Sequence, residues 1–191
     1  AQWCPGVEVN YASHLLTQGA DDKTAIHYFS ECRTEGQMTW GDLRAQVSGV
    51  ARALRDMGVE PGDRVAAYLP NTPEAVVAML ATTAIGAIWS SCSPDFGVSS
   101  ALDRFRQIEP KVLFAVDGYR YGGKDFDRRP SLAPTLTALP SVEQLVYLPY
   151  LFPNGEGCPV GARPWSDLLS SSAHAADDPI RHHLPFDHPL W

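Results

Sequence analysis

Between Gly62 and Gly97 the spacing of apolar residues changes twice, and the changes predict a strand, a helix and a second strand. Residues 64–69 form a short apolar run that Pro70 and Asn71 break. In the helix that follows, Thr72 can cap, Pro73 suits the first turn because its missing N–H costs nothing there, and Glu74 favours the positive end. Gly86 can close it in a left-handed turn. Val76, Val77, Ala78, Met79, Leu80 and Ala81 leave this helix almost no polar face, so it must be covered on more than one side. Residues 87–91 return as a strand. A strand joined through a helix to a parallel neighbour is the unit of an α/β fold, here an open, mainly parallel sheet with flanking helices and its ligand loops at the carboxyl ends of the strands.

The flanking pattern extends this unit in both directions. Residues 10–16 predict a short helix, and residues 24–29 a strand that turns through Glu35-Gly36 to pair with residues 37–39. From Thr39, Leu43, Val47, Val50, Leu54 and Met57 recur at helical spacing, with Thr39 and Asp42 as a capping box and Gly58 at the carboxyl end. Ser100 and Asp103 fit another capping box, for a helix through Phe105 that Pro110 ends. Residues 111–116 read as a buried strand leading into a glycine-bearing loop from Asp117 to Lys124. A helix over 131–139, interrupted by Pro134, and a strand over 144–148 add one more step. Beyond Pro149, six further prolines and the Ser170-Ser171-Ser172 run leave room only for short elements, such as one helical turn over 165–169. The expected organisation is an amino-terminal helix and hairpin (1–38), an α/β core (39–148) and a proline-rich irregular segment (149–191).

Composition narrows the partners. The chain has 191 residues, 45% of them hydrophobic, and a formal charge of −7, which disfavours a nucleic-acid or anionic-membrane surface and makes any anion site local. Cys4, Cys32, Cys92 and Cys158 lack metal-ligand or C-x-x-C spacing, which suits reduced thiols in the cytoplasm. No basic region followed by an apolar run marks a targeting signal, and no apolar stretch is long enough to span a bilayer.

Three stretches carry candidate chemistry. Gly118-x-x-x-x-Gly123-Lys124 meets the phosphate-loop pattern except at its last position, where Asp125 stands in place of the Ser or Thr that would serve magnesium. A looser anion site survives that mismatch, with Arg120 gripping a phosphate through two charge-assisted bonds and Lys124 adding a point charge. The plain alternative is a surface turn with solvated charges. In the loop from Ser90 to Gly97 small residues let a ligand approach the backbone, but no G-x-S-x-G elbow supports a serine nucleophile, and Cys92 reads as a buried filler. His182, His183, Asp187 and His188 offer zinc-type donors, although Pro185 and Pro189 forbid the helical H-E-x-x-H arrangement, so a packing segment is the simpler reading. Asp21-Asp22 and Asp177-Asp178 read as turn and cap residues.

The stretch GVEPGDRVAAYLPNTPEAVVAMLATTAIGAIWSS resembles the amino-terminal region of the adenylate-forming acyl-CoA synthetases. NYASHLL, WSSCSPDFG, DRFRQIEPKVLFAVDGYRYGGK and PFDHPLW are similar to its acetoacetyl-CoA synthetase (acetoacetate–CoA ligase) branch, and the likeness covers nearly the whole chain. The resemblance implies a fold that is part of a large amino-terminal domain, and a reaction of two steps. A carboxylate attacks the α-phosphate of ATP, with magnesium assisting, to give an acyl-adenylate and pyrophosphate; the thiol of coenzyme A then displaces AMP. It implies that the segment from Asp117 to Lys124 contacts coenzyme A, with Arg120 on the nucleotide phosphates and Tyr121, Gly122 and Gly123 completing the contact. A second arginine of the family falls at Gly123 here, which leaves Lys124 as a displaced substitute. Pro94, Asp95 and Phe96 match a stretch bordering the same ligand.

The family's ATP loop, adenine segment and catalytic lysine are expected beyond Trp191. On this reading the chain is a fragment, inactive alone, whose partners are acetoacetate, ATP, coenzyme A and the rest of the same enzyme, and whose isolated form exposes apolar surface. Two rivals remain, a phosphate-loop-like ATP-binding protein using Gly118 to Lys124 and a non-catalytic coenzyme A or nucleotide-binding module.

Overall fold

The computed structural model describes residues 4–170 and 183–191. At its centre lies a five-stranded parallel sheet. Strand β4 (Arg64–Tyr68) is flanked by β5 (Ile88–Cys92) on one side and by β6 (Val112–Val116) on the other; β9 (Gln144–Leu148) and the two-residue β10 (Arg163–Pro164) continue outward from β6. The four principal strands therefore run β5-β4-β6-β9, so the chain steps one way from β4 to β5 and then crosses back to β6. That reversal makes the carboxyl ends of β4 and β6 the switch point of the sheet.

Alternation along the strands builds two cores. Val65, Ala67, Val112, Phe114 and Val146 face α2 (Trp40–Asp56) and α3 (Pro73–Ala84). Ala66, Tyr68, Leu113, Ala115 and Tyr147 face α4 (Val98–Ile108) and α5 (Arg129–Ala138). Having apolar residues on both faces is what a sheet covered on both sides requires. Among the described residues no helix is long and apolar enough to cross a membrane.

The helix ends form where local signals place them. The Thr39 hydroxyl accepts from the Asp42 amide (3.1 Å) and Thr72 caps α3, while Gly58 and Gly86 take positive φ (78° and 79°) just past the helices. α3 packs against α2, α1 (Tyr11–Leu16) and β5, as its missing polar face demands. The Asn10 side chain accepts from the Ser13 amide to start α1 and donates to the Ala84 carbonyl at the end of α3 (2.9 Å each). A hairpin of β2 (Thr24–Tyr28) and β3 (Gly36–Thr39) follows α1.

Four expectations need correction. α4 begins at Val98, so Ser100 and Asp103 lie inside it and form no capping box; the turn closed by the Phe96 amide on the Ser93 carbonyl delivers the chain to Gly97, which caps without a side chain. Its far end is held by Arg64, which donates to the carbonyls of Ile108 (2.7 Å) and Glu109 (3.0 Å). The loop expected over 117–124 is instead an antiparallel hairpin, β7 (Gly118–Tyr121) and β8 (Lys124–Asp127), turning on Gly122-Gly123. α5 starts two residues early, because the Asp127 carboxylate accepts from the Arg129 amide (2.9 Å) and Pro130 suits a first turn. The proline-rich stretch also contributes more than one turn: β10 joins the sheet, α6 (Trp165–Ser170) follows it with Trp165 and Leu168 buried, and β11 (Leu184–Pro185) pairs with β1 (Glu8–Val9).

Candidate functional site

Two loops leave the carboxyl ends of strands beside the switch point. The first, Pro94-Asp95-Phe96, follows β5, and the buried Tyr68 at the end of β4 anchors it. The Tyr68 hydroxyl donates to the Phe96 carbonyl (2.6 Å), with the Pro94 carbonyl at 3.2 Å. Burial pushes the pKa of this phenol up, and the Arg128 charge opposes the shift, so Tyr68 stays protonated and able to donate. Phe96 itself is exposed beneath the Arg104 guanidinium, 4.8 Å from the ring centre.

The second is the β7–β8 hairpin. Asp117, at the end of β6, is fully buried; its carboxylate accepts from the amides of Tyr150 (2.9 Å), Leu151 (2.7 Å) and Phe152 (2.8 Å), which makes it a structural staple. A Cβ on Gly118 would meet the Phe126 carbonyl oxygen at 2.6 Å, so only glycine lets the strands close there. Period-two alternation then divides the hairpin. Tyr119 stacks on Phe126 (centroids 4.9 Å apart) on one face, while Arg120 opposite Asp125 forms a two-pronged ion pair on the other. The hydrogen bonds from Arg120 hold the Asp125 carboxyl below the usual range, and Asp125 in turn raises Arg120.

At the tip, Gly122 and Gly123 take φ of 60° and 72°, and their amides point to the carboxylate of Glu31, in the β2–β3 connection, at 2.9 and 2.8 Å. The donation from Gly123, then Gly122, lowers the Glu31 pKa. Tyr121 is 74% exposed, and no described carboxylate lies within ion-pair distance of the exposed Lys124.

These positions overturn the phosphate-loop reading. Lys124 opens a strand, not a helix, and Asp125 is committed to Arg120, so the Gly118–Lys124 stretch does not lead into the helix amino terminus that a nucleotide-binding loop needs. Cys92 is buried, as expected of a filler. The His188 ring bonds the Gly86 carbonyl (2.8 Å), and among the described residues no group of three His, Cys, Asp or Glu side chains could hold a metal; His182, Asp177 and Asp178 lie outside the described residues.

The family model for the AMP-binding enzyme matches residues 16–174. The chain belongs to the AMP-binding enzyme family. It is 42% identical over 196 aligned residues to the acetoacetyl-CoA synthetase of Rattus norvegicus, and 39% identical to the acetoacetyl-coenzyme A synthetase of Rhizobium meliloti (strain 1021); each alignment takes in 100% of this chain and 29% of the relative. The solved structure of acetoacetyl-CoA synthetase from Streptomyces lividans superposes with a TM-score of 0.90 at 49% identity, again over 100% of this chain and 29% of that one. The chain thus spans less than a third of the length of the relatives it matches.

Within this AMP-binding enzyme fold, two side chains near the proposed ligand segment escaped the sequence reading. Glu31 lies far from the hairpin in sequence. Arg128 follows β8; its amide bonds the Asp117 carbonyl (2.7 Å), its guanidinium reaches the Tyr119 hydroxyl (3.3 Å) and lies 5.4 Å from that ring's centre, and its buried Nε has no hydrogen-bond partner among the described residues. The sequence signal for Arg128 is its place at the end of a strand pair beside the switch point.

Proposed function

We propose that the chain is the amino-terminal α/β portion of an acetoacetate–CoA ligase, which converts ATP, acetoacetate and coenzyme A to AMP, pyrophosphate and acetoacetyl-CoA through an acyl-adenylate, in the cytoplasm and in the service of fatty-acid metabolism. The observation that carries this reading is the likeness to acetoacetyl-CoA synthetases along the entire chain. Free cysteines support the cytoplasmic assignment. ATP and magnesium belong to the reading of the complete enzyme, and no residue of this chain is assigned to either.

For coenzyme A the residues present fit. Amides that already hold a carboxylate can hold a phosphate oxygen, and the Arg120 fork lies beside them. Arg120, Tyr121, Gly122, Gly123 and Lys124 would bind the nucleotide end, with Pro94, Asp95 and Phe96 bordering it, while the thiol supplies the nucleophile. The chain's part is binding and orientation, and alone it does not catalyse adenylation.

The test is carboxylate-dependent ATP–pyrophosphate exchange by the complete polypeptide carrying this chain, with acetoacetate and acetate in parallel. Exchange driven by acetoacetate well above acetate is the expected result. Equal rates, or none with acetoacetate, would overturn the assignment.

A further inference from the structure

The β2–β3 connection is strapped across the molecule. The Tyr150 hydroxyl donates to Ser30 Oγ (2.6 Å), and Arg33 lies over the Tyr150 ring (4.5 Å to its centre) while pairing with Glu74 in the first turn of α3. Between these two moorings Glu31 reaches the β7–β8 turn, and each of its carboxylate oxygens accepts one amide, Gly122 on Oε1 and Gly123 on Oε2.

The seat has the chemistry of an anion site. Two successive glycines at positive φ turn their N–H groups to one side, a backbone concavity that holds anions elsewhere in proteins. Arg120 adds a cation close enough to stabilise the ionised Glu31. The tip amides and the Arg120 guanidinium are nevertheless engaged by carboxylates of the chain itself, the amides by Glu31 and the guanidinium by Asp125. A phosphate arriving at these two amides therefore meets like charge in place of free N–H donors, and among the described residues the exposed Lys124 beside the turn is the hairpin cation that no carboxylate engages.

We propose that Glu31 is an intramolecular stand-in for a ligand phosphate, which competes with phosphate-bearing ligands for the Gly122 and Gly123 amides and must swing out before they bind. The inference rests on the coenzyme A reading of this hairpin and adds a competitor to it. Glu31 is exposed, so leaving the seat returns its carboxylate to water at little cost. Its neighbours Ser30 and Arg33 keep their own partners when it does, so the strap stays moored and only one side chain moves. Glu31 thus lowers the affinity for phosphate while keeping the turn ordered without ligand.

The alternative is that Glu31 is a staple the turn needs. The two roles predict opposite signs. In a 15N-labelled sample, inorganic pyrophosphate and coenzyme A are titrated separately into wild type, Glu31→Gln and Glu31→Ala, following the Gly122 and Gly123 amide resonances. Competition predicts that both variants bind pyrophosphate and coenzyme A at least about fivefold more tightly than wild type, through removal of one close like charge and of one occupant. Affinity that is unchanged or weaker in both variants overturns the proposal. If the variants gain affinity for pyrophosphate while coenzyme A never moves these amides, the coenzyme A reading falls and the competition stands. If coenzyme A shifts the amides equally in all three proteins, the coenzyme A reading stands and the competition falls.

Discussion

Replacing Asp117 by asparagine should unfasten the chain after β9 while leaving the sheet paired. The carboxylate takes three successive backbone amides, those of Tyr150 and Leu151 on Oδ1 and that of Phe152 on Oδ2. Asparagine can keep the first two by pointing its carbonyl oxygen at them, but its NH2 group then faces the Phe152 N–H, donor against donor. The flipped amide keeps one bond and loses two. A hydrogen bond to a charged acceptor contributes about 1.5–3 kcal/mol, and a buried amide left unpaired costs about 1–3 kcal/mol. With the two surviving bonds weakened to neutral acceptors, Asp117→Asn should lose about 2–4 kcal/mol, and Asp117→Ala, which strands all three amides, at least about 4 kcal/mol. Urea unfolding at unchanged m-value measures both, and hydrogen exchange should speed selectively at residues 150–152. A loss below about 0.5 kcal/mol for asparagine, or an alanine variant no worse than it, would refute the staple, because it would mean that water serves those amides equally well.

Leu80, fully buried where α3 meets the first core, should cost about 2–5 kcal/mol when cut to alanine; a smaller loss in thermal or urea unfolding would show that the site collapses around the cavity. Arg120→Glu should weaken coenzyme A binding at least about tenfold and 3′-dephospho-coenzyme A less, and equal losses in calorimetry would remove the extra phosphate from that residue. The contact of Glu31 with the turn should follow pH. Because the Gly123 and Gly122 amides favour its ionised form and lower its pKa, the contact is fully present above the ordinary glutamate value and is lost as pH falls through the lowered one. The two glycine amides should therefore report an acid transition that Glu31→Gln lacks, and flat resonances between about pH 7 and pH 2 would show that the contact is not made by a carboxylate.

Much of the fold was legible because its determinants are local. Thr39 and Asp42, Thr72 and Pro73, and Gly58 and Gly86 each act within one turn, so spacing alone reveals them. The buried strands stood out as apolar runs for the same reason, since both faces of each must be covered. What escaped was set at a distance. β10 and β11 have two residues each and exist only through partners in β9 and β1. The capping box at Ser100 and Asp103 was a sound local signal overruled by the turn that ends at Gly97.

The hairpin shows how charge and glycine content can hide a strand pair. Read as composition, Asp117 to Lys124 is a flexible cationic loop; read at period two, Tyr119, Tyr121, Lys124 and Phe126 alternate with Arg120 and Asp125 about a Gly-Gly turn, which is a hairpin signal. The difference alters the chemistry. In a loop Arg120 would be free to wrap a phosphate, whereas in a hairpin the register sets it opposite Asp125, so it offers a ligand only what it withdraws from that pair. The amides at the tip gain what Arg120 loses, because the same turn aligns two of them. Their partner, Glu31, is 91 positions from Gly122, beyond any local pattern. On the proposed reading, anion affinity here is a difference between the ligand's interactions and those of two resident carboxylates, and Asp125→Asn combined with Glu31→Gln should raise pyrophosphate affinity more than either change alone.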